Sequence, residues 1–150
     1  MILIKMRFFC TIFFLTTSPL CFAQQVKQTS VYTYASATVV EKVLKDLDLK
    51  FKAKDRNLYE VTLNDSKALL TIEKESLQFW VGFSNKQGIS ANRINDFNKQ
   101  YKWCRAYLDD DGDAVLESDL SFTGGVTKDG LYSFVNTFGK LVEAFSEHLQ

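Results

Sequence analysis

Hydrophobic and polar positions alternate with a period that changes several times along the chain, and each change marks an element. Val40, Val43, Leu44 and Leu47 repeat at the interval of one helical face, and Thr38 followed by Glu41 has capping-box spacing, so a short amphipathic helix is expected here. From Leu49 the period drops to two. Leu49, Phe51 and Ala53 alternate with Lys50, Lys52 and Lys54, which predicts a half-buried strand whose lysine face suits a sheet edge. Asp55-Arg56-Asn57 turns the chain into the alternating Tyr59, Val61 and Leu63, and Asn64-Asp65-Ser66 turns it again. Ala68 to Ile72 and Leu77 to Phe83, with Glu73-Lys74-Glu75 between them, complete an antiparallel meander.

Ser90 is placed to cap a second helix, with Ile89 and Ile94 at the two positions of a hydrophobic staple and Ile94, Phe97 and Tyr101 on one face. Trp103 to Leu108 and Ala114 to Phe122 then read as extended segments. They flank Asp109-Asp110-Asp111-Gly112, a hairpin turn in which Asp-Gly supplies positive φ. Gly124-Gly125 ends the second segment. Thr127 serves as N-cap with Asp129 in the first turn, and a long helix follows with Leu131, Phe134, Val135, Phe138, Leu141, Val142, Phe145 and Leu149 on one side. The predicted order is helix, strand meander, helix, β-hairpin, helix. That is an α+β fold with an antiparallel sheet and helices packed on one face.

The first 23 residues change the picture. Lys5 and Arg7 precede the apolar run Phe8 to Leu15, Pro19 breaks it, and Cys21-Phe22-Ala23 places small residues where a signal peptidase cuts. A cleavable signal over residues 1–23 is expected, and export to the periplasm or exterior with it. An uncleaved anchor would need roughly 20 apolar residues, about twice this run, and Ser18-Pro19-Leu20 is a poor approach to lipidation of Cys21. Residues 24–36 show no helical period and are expected to form a flexible or weakly extended leader. A single domain over residues 37–150 follows, with no stable membrane insertion once the signal is gone.

Charge excludes further classes. The 18 basic and 18 acidic side chains balance, and loss of Lys5 and Arg7 leaves a slightly acidic protein with nothing to attract nucleic acid. Cys10 and Cys21 lie in the signal, so Cys104 is left alone and cannot form an intramolecular disulfide. With one further ligand of that kind, His148, a zinc site cannot be assembled, and no cofactor is expected.

The acidic run at Asp109 to Asp113 fails as a calcium loop. With Gly112 at the central glycine, Tyr107 and Ser118 would fall where acids are required. Cys104 with His148 is the sharpest enzyme hypothesis, yet no third group orients such a pair, and Arg105 would point to the other face of its strand. Gly124-Gly125 has neither phosphate-loop spacing. Trp80, Phe83, Trp103 and Tyr107 could stack on a ligand, and alternation sets Trp80 on the face away from the helices, where it would serve as partner surface.

The second half of the chain resembles the YbjN domain family, α+β proteins similar in fold to type III secretion chaperones. The resemblance is carried by Leu77-Gln78-Phe79-Trp80-Val81-Gly82-Phe83, then Ile94-Asn95-Asp96-Phe97-Asn98, then Arg105-Ala106-Tyr107-Leu108-Asp109 with Gly112, then Leu116-Glu117-Ser118-Asp119-Leu120, and finally Gly125-Val126-Thr127. Phe97 stands where the family usually has Trp, which keeps the apolar anchor without the indole donor. The resemblance implies a non-enzymatic, chaperone-like or regulatory module that binds a protein or peptide and can form a homodimer. It points to Asn95, Phe97, Asn98, Arg105, Tyr107, Asp109, Asp119 and Gly125 as motif residues, structural or interacting. The alternatives are a small-ligand binder, a thiol enzyme using Cys104, and a purely structural envelope protein.

Overall fold

The computed structural model describes residues 30–85 and 88–150. The expected signal peptide and residues 24–29 of the leader lie outside them. The first strand, β1 (Val31–Tyr32), falls in the segment expected to be a leader, and it pairs antiparallel with β8 (Val126–Thr127). Ala35 donates from its backbone to Lys74 O at 3.0 Å and is buried, so Ser30 onward belongs to the fold and the domain does not begin at residue 37. Two residues are too few to show a period. Gly125 makes the pairing possible: its φ is +93°, and a Cβ there would lie 2.5 Å from Val31 Cγ1.

Helix α1 (Ala37–Asp46) starts two residues earlier than its Thr38-Glu41 spacing suggested, because Ser36 Oγ accepts from Val39 N at 3.4 Å and caps it instead. The meander follows as β2 (Phe51–Asp55), β3 (Leu58–Leu63), β4 (Ser66–Ile72) and β5 (Ser76–Phe83). The β3–β4 link is the two-residue Asn64-Asp65 turn, both residues with positive φ, as a tight hairpin demands. Helix α2 (Ala91–Gln100) is capped by Ser90 as expected. Strands β6 (Arg105–Leu108) and β7 (Ala114–Ser121) form the hairpin, closed where Gly112 N donates to Asp109 O at 2.9 Å. Helix α3 (Lys128–Leu149) is capped by Thr127.

The six-stranded antiparallel sheet has the order β2-β3-β4-β5-β7-β6, so β6 forms an edge and β7 lies next to it. The helices lie on one face. Phe79 of β5 stacks on Phe138 of α3 at 4.8 Å, and Phe145 meets Phe83 and Phe97 at 5.6 and 4.8 Å, which ties β5, α2 and α3 into one core. Burying one such side chain contributes about 1.5–3 kcal/mol. Among the described residues no helix is long and apolar enough to cross a membrane.

Candidate functional site

A sheet edge offers unpaired backbone groups to any extended chain, so the treatment of each edge shows where this molecule can accept one. Strand β2 is guarded by lysines: Lys52 stands opposite Glu60, and Lys54 Nζ reaches Glu60 at 3.4 Å. Strand β6 is closed by a side chain. Asn98 of α2 donates from Nδ2 to Ala106 O at 2.8 Å and accepts from Ala106 N at 2.9 Å, taking the place of a neighbouring strand. Strand β7, however, outruns its partner. β6 begins at Arg105, opposite Glu117, while β7 continues through Ser118 to Ser121, paired there only with β5.

That uncovered stretch borders a cavity of about 540 Å³ between the sheet and the start of α3, lined by Trp103, Cys104, Leu120, Gly130, Phe134 and Thr137 among others. Trp103 stands at its mouth. The strand expected from Trp103 onward starts instead at Arg105, because Trp103 has φ +63°, a left-handed conformation unfavourable for a bulky side chain. Ser118 Oγ holds that bend by donating to Trp103 O at 2.6 Å. The indole is left 79% exposed, the most exposed large apolar side chain among the described residues.

On the helix-free face, β7 presents Val115, Glu117 and Asp119. Glu117 is buried, ion-paired to Arg105 and hydrogen-bonded by Tyr107 Oη at 3.2 Å. Asp119 is exposed and has no ion pair among the described residues. Trp80 lies on this face, as alternation required, but it is half-buried: its ring covers Gly82, where a Cβ would fall 2.9 Å from Cη2. Gly82 is opposite Val115, which in turn is opposite Tyr107, and Val115 is fully buried. Trp80 therefore closes a small second cluster, while the large apolar side chain left most exposed among the described residues is Trp103.

The decisive comparison is with sequence families. Residues 36–150 match the YbjN family, whose description is "Putative bacterial sensory transduction regulator". The chain belongs to the YbjN family. No curated protein matches it by sequence. Its structure is similar to that of YbjN from E. coli, described as "a putative transcription regulator", at 18% identity and TM-score 0.64 over 75% of this chain and 88% of that one. It is also similar to the Yersinia pestis type III secretion chaperone SycH, solved in complex with a stable fragment of YscM2, at 19% identity and TM-score 0.50 over 71% and 96% of the two chains. At these identities the likeness is one of fold, and it agrees with the secretion-chaperone-like α+β architecture expected from the sequence.

The YbjN motif residues do not converge on one place. Arg105 and Asp119 border the cavity, and Tyr107 joins Arg105 on Glu117. Asn98 closes β6, Asn95 is exposed beside it, and Phe97 is fully buried against Phe145, Tyr101 and His148. Asp109 folds the hairpin tip, accepting from Asp111 N at 3.1 Å and Asp113 N at 2.8 Å. Gly125 serves the β1–β8 pairing. Trp103, Glu117 and Ser118 were outside the predicted site. Trp103 entered the sequence reading only as one of four aromatics able to stack on a ligand, and the signal for Glu117 was an acid in the middle of an apolar strand.

Cys104 and His148 do not come together as a pair. Burial pushes the Cys104 thiol up, away from thiolate. His148 is engaged elsewhere, with Nε2 2.8 Å from Arg93 O while Arg93 Nε donates to His148 O at 2.7 Å. Arg105 points to Glu117 and not to the thiol. Among the described residues no group of three or more His, Cys, Asp or Glu is placed to hold a metal.

Proposed function

We infer that this YbjN-family protein is a non-catalytic, exported binding module that holds an extended segment of a protein partner at the uncovered end of β7, in a chaperone-like or regulatory role. One observation carries this: Trp103, a large apolar side chain, is held in solvent by a left-handed backbone at the mouth of an apolar cavity beside unpaired strand. Adding a strand there supplies affinity through backbone hydrogen bonds, and the cavity supplies selectivity for a side chain. Tryptophan is among the residues most enriched at binding hot spots. The family description as a regulator and the peptide-bound state of the fold neighbour SycH support the choice of a protein ligand. Export rests on the sequence of residues 1–23, and a secreted form beginning at Gln24 by mass spectrometry is its test.

The test of binding compares wild-type protein and Trp103→Ala as bait in extract of the exported fraction. Truncating a hot-spot tryptophan typically costs at least about 2 kcal/mol, or roughly thirtyfold in affinity. A protein captured by wild type and lost with the variant is the expected outcome; identical capture by both would remove the basis for this site. The cavity volume also lies within the roughly 300–1,000 Å³ usual for small molecules, which favours a small apolar ligand as second occupant. A covalent thiol role is disfavoured by the raised Cys104 pKa.

A further inference from the structure

Glu117 and Asp119 sit two positions apart on the same face of β7, with different surroundings. Opposite Glu117 stands Arg105 of β6, and the two form an ion pair. Opposite Asp119 stands Gln78 of β5 on one side; on the other side β6 has already ended. Asp119 is exposed with no cation engaged among the described residues. The residues flanking it, Ser118 and Leu120, point to the helix-bearing face, toward Cys104 and Phe134, and Asp119 stands at the rim of the same cavity. A strand laid along this edge would thus send alternate side chains to an apolar cavity and to an unpaired carboxylate.

We propose that the segment bound at β7 alternates apolar and basic residues, with a Lys or Arg set opposite Asp119 as Arg105 is set opposite Glu117. This rests on the binding site inferred above and specifies its ligand. An acidic side chain at the same position would meet Asp119 across the ladder, where like charges are destabilising. The apolar residues enter beside Leu120 and Phe134, and the backbone completes the edge that β6 leaves open.

The test uses the protein and three fluorescein-labelled hexapeptides, alternating valine with lysine, serine or glutamate. Binding is read by anisotropy, and its location by protection of Cys104 from a thiol reagent. The lysine peptide is expected to bind about tenfold tighter than the glutamate peptide, with serine between, and the ranking should collapse in Asp119→Asn. Equal binding of all three with Cys104 protected would overturn the charge preference and leave the site standing. No binding with Cys104 unprotected would overturn the site as well. Particle size rising with protein concentration, with the peptides excluded, would mean that a second copy of this chain covers the β7 edge, and would overturn the proposal of a separate partner segment.

Discussion

Trp80 and Trp103 show how two residues of one type divide structure from binding. Trp80 lies across Gly82 and shields Val115, so its removal opens a hole on the helix-free face. Trp103 touches little and sits in an unfavourable backbone region, so its removal costs almost nothing. Thermal or urea unfolding should therefore show Trp80→Ala losing about 2 kcal/mol, less than the roughly 3–5 kcal/mol of a fully buried aromatic because the ring is half-buried, while Trp103→Ala stays within about 0.5 kcal/mol of wild type. The reverse ranking would mean that the two roles have been exchanged. Strand alternation in the sequence places Trp80 on its face correctly. It does not announce the ring lying over Gly82, which depends on a rotamer, nor the left-handed turn at Trp103, which depends on Ser118 fifteen residues away.

Elements were the most legible level. The periods locate α1, α2, α3 and all six strands of the main sheet to within a residue or two, because each buries one face against a common core. The misses share a cause: Ser36, β1 and the late start of β6 are set by partners distant in sequence or by a competing cap. Asn98, noted only as a motif residue, turns out to close β6. Asn98→Ala leaves the Ala106 N–H and carbonyl without their partner and should cost about 1–3 kcal/mol in chemical denaturation. It should also expose an edge, so faster aggregation on heating is expected with it. Helix α1 is tied down by Tyr59 Oη donating to Glu41 at 3.0 Å and Tyr132 Oη donating to Asp46. These hydroxyls, with nearby lysines, hold both carboxyls below their usual range; burial and Glu41 raise Tyr59, and Asp46 raises Tyr132. Lowered carboxylates stabilise the fold above their unfolded pKa and lose that as pH falls through the folded value; raised tyrosines stabilise it below theirs and lose it as pH rises. The melting temperature should form a plateau between about pH 5 and pH 10, falling on both sides. In Tyr59→Phe with Tyr132→Phe both shoulders should flatten, and an unchanged pH curve would discount these ties.

At the scale of the whole molecule, the fold class followed from the order of periods, and the family from motifs strung along it. The strand order did not follow, since nothing local says that β7 and not β6 lies beside β5. The cavity was equally invisible, being formed by the mismatch in length between two strands and by the approach of α3. That mismatch has a kinetic side. Ser118 is buried and bonded to Trp103 O, so an incoming strand gains only the ladder from Asp119 to Ser121, about 10 Å long, and a few hydrogen bonds worth roughly 0.5–1.5 kcal/mol each. Even with one anchored side chain worth about 1.5–3 kcal/mol, such a grip stays weaker than the roughly 8 kcal/mol of micromolar binding, and at ordinary association rates it lets go within about a second. The molecule would keep sampling its surroundings, its occupancy tracking the momentary supply of free segments instead of storing them.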